Sequence, residues 1–197
     1  MNPAAKRTTG NERGVAAVEL AIIIPILLIL AFGVVDFGRL VQARLIVTNT
    51  AREGGSLASR GIAAGADLLD LLQSSADPLA IADQGRIYIT KIRAGATAGA
   101  PNPVIASRND RGTLGIDPVI RGNIGDAPAG LSPALYNHLT FNPDPGVMTS
   151  ALTEITVVEV YYKYNPITPL PHLHLLFNSI PQILPDDGVI IGCKAVF

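Results

Sequence analysis

The first part of the chain is dominated by one long apolar run. From Val15 to Val35 the residues are apolar except for Glu19, with interruptions that a helix tolerates at Pro25 and Gly33. About 20 apolar residues are needed for a helix to cross the hydrocarbon core of a bilayer. The run therefore predicts a transmembrane helix, which Pro25 should kink without ending.

After this run, apolar positions continue at steps of three and four residues, which is the spacing of one helix face. These positions are Phe37, Leu40, Val41, Leu45, Thr48 and Ala51. The helix should thus continue to Ser59, with Gly54-Gly55 as a frayed end or hinge. At 1.5 Å per residue it would be about 65 Å long, too long for one small domain to cover, so its remaining apolar surface implies a protein neighbour.

The rest of the chain changes from helical to strand-like spacing. Ile87, Ile89 and, after a slip of one residue, Ile92 alternate with polar residues. Predicted strands are 86–93, 104–107, 153–164 and 188–197, and predicted helical segments are 67–76 (with Asp67 as N-cap), 133–139 and 173–180. Glycine and proline cluster between residues 95 and 146, which favours loops. The predicted fold is α+β: a long N-terminal transmembrane helix that extends into a small domain with an antiparallel sheet.

The charges before the apolar run set the expected orientation. Lys6, Arg7 and Arg13 are opposed only by Glu12. By the positive-inside rule, residues 1–14 form a cytoplasmic leader, 15–60 the membrane helix with its extension, and 61–197 an extracytoplasmic domain. The chain would be a single-pass protein of the inner membrane.

A cleaved signal peptide is the main alternative, because it also has a basic start and an apolar core. Ala31-Phe-Gly33 offers small residues for such a cleavage, and the product would be a secreted or periplasmic binding module. Glu19, Pro25 and the helical spacing beyond the run count against this interpretation.

Composition narrows the function further. The net charge is −1 and only 16% of residues are charged, which argues against a nucleic-acid partner. The one cysteine, Cys193, has no intrachain partner for a disulfide and is expected to pack as a small hydrophobic residue, although a bridge between chains stays open.

No catalytic motif accompanies this composition. The sequence lacks G-x-S-x-G, a Walker-type loop and H-E-x-x-H. His172 and His174, with His138 as a third ligand, could bind a metal, but their proline-flanked context favours ordinary histidines. Neither a cofactor nor enzyme activity is expected, and a membrane-anchored hydrolase that uses His172 or His174 remains the catalytic alternative.

Glu19 is the unusual residue of the anchor. A carboxylate within hydrocarbon costs about 2.5 to 3.5 kcal/mol on insertion scales. It either lies shallow enough to reach the headgroups or meets a positive charge at the same depth. If the chain is cut between Gly14 and Val15, the new α-amino group would be such a charge.

These residues resemble a known family. Gly14, followed by an apolar helix with a glutamate at its fifth position, resembles the type IV prepilins and pseudopilins. The fuller pattern, with Pro25, Asp36-Phe37-Gly38-Arg39 and Ala51-Arg-Glu-Gly54, resembles the TadE-like pilus-assembly family.

The resemblance implies a pilin-like fold and a structural role. It implies a pseudopilin, or minor pilin, that is processed by a prepilin peptidase between Gly14 and Val15. Glu19 would be the carboxylate used in assembly, Pro25 the helix kink, and residues 36–39 part of the family motif. The implied partners are the peptidase, other pilins, the assembly machinery of a tight-adherence type IV pilus and the lipid bilayer.

Overall fold

The apolar run forms part of one continuous helix. In a computed structural model, which describes residues 10–61, 65–142, 153–169 and 188–197, helix α1 spans Gly10–Ser59. It ends where the spacing predicts, contains Pro25, and begins within the expected leader. The prediction of a frayed end or hinge at Gly54-Gly55 is wrong, because both residues are helical and buried.

The chain divides into two compact units. The first consists of Met1–Leu40 and Pro166–Asp186, and the second of Val41–Asn165 and Asp187–Phe197. In the second unit, α2 (Gly65–Ser75), α3 (Ile81–Gln84) and α4 (Pro133–Leu139) accompany the sheet. Asp67 lies in the first turn of α2 and is not its N-cap, since the helix begins two residues earlier than predicted. The predicted helix 173–180 is outside the described residues.

The sheet is antiparallel, as the strand patterns predict. Its strands are β1 (Gly85–Arg93), β2 (Val104–Gly112), β3 (Glu154–Tyr164) and β4 (Val189–Val196), in the spatial order β2-β1-β3-β4. The register with β2 shifts between Lys91 and Ile92, where the sequence shows its slip. Strand β2 is longer than the predicted 104–107. The α+β class and the small antiparallel sheet are therefore confirmed.

One face of the sheet packs against helices. A methyl group built at Gly54 of α1 would lie 2.6 Å from Leu72 of α2 and 3.1 Å from Val158 of β3, and one at Gly55 would overlap the ring of Phe197. The buried apolar residues of the two helices are Ala43, Val47, Ala51, Leu68, Leu69 and Leu72. Small residues on α1 thus allow its backbone to approach the sheet closely.

The other face is covered by the segment between β2 and α4 and by α4 itself. A buried cluster joins Ile92, Ile105 and Ile155 of the strands to Ile120 and Leu139 above them. Ser132 caps α4, since its hydroxyl accepts a hydrogen bond from the backbone N–H of Leu135. The sheet is consequently buried on both sides along β1 and β3.

Candidate functional site

The amino-terminal part of α1 carries the residues expected in processing and assembly. Gly14 and Glu19 are exposed, Val15 is 57% exposed, and a Cβ added at Gly14 would meet nothing within 4 Å. An 18-residue window of this helix has a mean hydropathy of 2.8 and no buried residue. The helix is therefore long and apolar enough to cross a membrane.

Asp36, the first charged residue after the apolar run, is buried. It is only 2% exposed, within the unit formed by Met1–Leu40 and Pro166–Asp186. One carboxylate oxygen accepts a hydrogen bond from the backbone N–H of Ile167 at 3.1 Å, and the other accepts one from the hydroxyl of Thr168. These bonds offset the cost of burying the carboxylate and tie the segment after β3 to the helix.

The other residues of the 36–39 motif face outward. Phe37 is 67% exposed, and Gly38 and Arg39 are exposed as well. Farther along, Val41 and Leu45 are 41% and 59% exposed. We call Phe37, Val41 and Leu45 the exposed stripe, because their spacing places them on one side of α1.

The residues that pack on the sheet lie on a different side of the same helix. Ala43, Val47 and Gly54 are buried, whereas the residues of the exposed stripe are not. At about 100° per residue, the stripe is rotated by roughly 140° from the buried side. Among the apolar positions that the sequence spacing assigns to one helix face, Ala51 is buried and Phe37 is exposed.

A second buried carboxylate, which the sequence analysis did not single out, lies on β3. Glu159 is 0% exposed and accepts hydrogen bonds from the backbone N–H groups of Val119 at 2.9 Å and Ile120 at 3.4 Å. The hydroxyl of Tyr161 donates to the same residue at 3.2 Å. A single charge within the β-branched run Val157–Tyr161 was the sequence signal that could have drawn attention to it.

Further hydrogen bonds hold the segment over this face. The guanidinium of Arg108 donates to the carbonyls of Ile120 and Gly122, at 2.6 and 2.9 Å. Burial, followed by the charge of Glu159, raises the pKa of Tyr161 to about 12. All partners of Glu159 are structural groups of the protein, so this network fits a role in fixing the fold.

The structure gives no support to a metal site in the residues it describes. Within them, no group of three or more histidine, cysteine or acidic residues is arranged to hold a metal. His138 is exposed in the last turn of α4, and His172 and His174 lie outside the described residues. Cys193 is partly buried on β4 and is a free cysteine.

The segment that carries the exposed stripe matches a known protein family. Residues 14–56 match a family model described as TadE-like protein, and this segment is the one whose residues resemble that family in the sequence. No curated protein and no solved structure matches the chain. The TadE-like match begins at Gly14 and ends near the last turn of α1, so it covers the helix and not the sheet.

Proposed function

Because residues 14–56 are TadE-like, we propose that this chain is a pseudopilin, or minor pilin, anchored in the inner membrane by α1. It acts structurally in the assembly of a tight-adherence type IV pilus. One observation carries the proposal: the family match coincides with a helix that has an unburied apolar span and an exposed apolar stripe. Enzyme activity is not part of this role.

Processing by a prepilin peptidase between Gly14 and Val15 would prepare the helix for assembly. The new amino group of Val15 is cationic below its reference pKa of about 7.7 to 8.0. Glu19 is about 6 Å farther along the axis by the helical rise. The exposure of Gly14 supports access by the peptidase.

Mass spectrometry of the mature N-terminus in the native host tests this step. The expected first residue is Val15, whereas the signal-peptide alternative gives a mature N-terminus near Gly33. Gly14→Asp should leave the precursor uncut, and Gly10→Asp, a matched change of another leader glycine, should not. Quantitative retention of Met1 in the wild-type chain would refute processing.

Glu19 would set the axial position of the helix among its neighbours. In a bundle, its carboxylate can pair with the amino group of the next protomer, so that neither charge is left unpaired in hydrocarbon. Two opposite charges about 4 Å apart attract by roughly 4 kcal/mol at an effective dielectric of 20, which favours one register over a slipped one.

Co-purification with the pilus machinery tests the role of Glu19. Glu19→Ala should stay in the membrane fraction but lose co-assembly, and Glu19→Gln should be intermediate. Glu53→Ala is the matched control, because Glu53 is an exposed acid on the same helix. Normal co-assembly of Glu19→Ala would mean that Glu19 merely reaches the headgroups.

The orientation follows from the basic residues before the span. Protease added to spheroplasts should digest the chain after Arg60 if the sheet lies outside the cytoplasmic membrane. Digestion only after lysis would indicate the opposite orientation.

A further inference from the structure

The hydrogen bonds of Asp36 fix a second segment beside the outer end of the apolar span. The span ends at Val35, and Asp36 is the next residue of the helix. Its carboxylate holds the backbone of Ile167 and the hydroxyl of Thr168. All these residues belong to one compact unit, and the hydrogen bond to Asp36 holds Ile167 beside the first residue after the apolar span.

The segment held there is suited to an apolar environment. The side chain of Ile167 is 61% exposed, although its neighbours Pro166 and Thr168 are partly buried. Pro166 and Pro169 have no backbone N–H, and the N–H of Ile167 is bonded to Asp36. Few backbone donors therefore remain that would need water, as insertion at a membrane boundary requires.

We propose that Pro166–Pro169 is a second membrane contact of this chain, in which Ile167 enters the interfacial region of the outer leaflet. Asp36 positions the contact by binding residues 167 and 168. The inference rests on the proposed anchoring by α1. The bilayer is the fitting partner because the exposed isoleucine is held next to the residue that follows the apolar span.

The sequence that follows agrees with this placement. Residues 170–185 contain no aspartate, glutamate, lysine or arginine, so no formal charge opposes a location near lipid. The proposal itself concerns the described residues 166–169.

Site-specific depth quenching in the full-length protein tests the contact. In a Cys193→Ser background, an environment-sensitive fluorophore is attached to Ile167→Cys after reconstitution into phosphatidylethanolamine–phosphatidylglycerol vesicles. These vesicles contain a lipid with a nitroxide near the headgroup. Val34→Cys, at the end of the span, is the lipid-side reference. Ser59→Cys is the water-side reference, since it is about 36 Å farther along the helix axis than Val35.

The label at residue 167 should be quenched several-fold more than the label at 59 and nearly as much as the label at 34. Adding Asp36→Ala to Ile167→Cys should reduce quenching at 167, while quenching at 34 is retained. Quenching at 167 no greater than at 59 would overturn the contact. A label at 167 with blue-shifted emission that changes with protein density but is not quenched by the nitroxide would also overturn the membrane contact, because a neighbouring protein would then cover the isoleucine.

The references separate this inference from the anchor on which it rests. Failure of the proposed anchor would leave the label at 34 unquenched as well. Quenching at 34 without quenching at 167 would refute the second contact alone. Ile167→Cys replaces an exposed side chain, so the fold does not depend on the labelled residue.

Discussion

Removing the buried carboxylate of Glu159 should destabilise the sheet domain strongly. Glu159→Ala leaves three donors without their acceptor: the N–H groups of Val119 and Ile120 and the hydroxyl of Tyr161. At about 1 to 3 kcal/mol for each unsatisfied buried group, and with part of the loss recovered by water, we expect a decrease of about 3 to 5 kcal/mol in the free energy of unfolding.

Glu159→Gln tests the same reasoning with less disruption. One amide oxygen can still accept from Val119 and Tyr161, which share one oxygen of Glu159, while the amide nitrogen faces the N–H of Ile120. The loss should be about 1 to 2 kcal/mol, because a single weak bond is replaced by two facing donors. The order of stability is thus wild type, then Gln, then Ala.

Guanidinium titration of the full-length protein in mild detergent measures these differences. The chain has no tryptophan and five tyrosines, of which Tyr88, Tyr161, Tyr162 and Tyr164 lie on β1 and β3, so near-UV circular dichroism reports on the sheet. Glu154→Ala is the matched control on the same strand, where the glutamate forms an exposed ion pair with Lys91 at 3.3 Å. It should cost less than about 1 kcal/mol. If Glu159→Ala costs no more than Glu154→Ala, the buried network does not hold the segment over the sheet.

Three other predictions concern the packing at Gly54, the titration of Tyr161 and the exposed stripe. Gly54→Ala should lower the free energy of unfolding by about 1 to 2 kcal/mol, because overpacking against Leu72 exceeds the gain in helix propensity. Gly38→Ala, where the added methyl group meets open space, should be neutral or stabilising in the same titration. The free energy of unfolding should fall as the pH rises from 10 towards 12, because the unfolded chain loses the phenolic proton of Tyr161 near pH 10 while the folded chain, with the pKa raised to about 12, keeps it. Tyr161→Phe should make the free energy of unfolding depend less on pH in this range. An unchanged dependence would contradict the assignment to Tyr161. Val41→Ser with Leu45→Ser should weaken co-purification with partner pilins without a loss of stability, and the exposed loop change Val119→Ser should leave co-purification intact.

Much of the fold was accessible from the sequence because its signals are local. The spacing of Ile87, Ile89 and Ile92 predicted both β1 and its irregularity, which the structure places between Lys91 and Ile92. Strand β2 was predicted too short, since its second half is polar and is held by pairing with β1. Helix α3 has four residues, too few to show any periodicity.

The site was less accessible because its contacts are distant in sequence. Asp36 stood out as a motif residue, but its burial depends on Ile167, which is 131 residues away. The lone charge of Glu159 in an apolar strand is a local signal, but its burial depends on the backbone N–H groups of Val119 and Ile120, which are 40 and 39 residues away. The side of α1 that faces the sheet could not be identified from apolar spacing, because the close approach of the sheet places small residues such as Ala43, Ala51 and Gly54 there.

The contact between Gly55 and Phe197 has a consequence for genetics. Because the phenyl ring occupies the space that any side chain at residue 55 would need, a substitution there must displace the ring, rotate α1 or shift the end of β4. Rotation of α1 would change the direction in which Val41 and Leu45 face, without unfolding the domain. A screen for loss of pili should therefore yield substitutions at the buried Gly55. Second-site substitutions of Phe197 by a smaller residue should restore assembly.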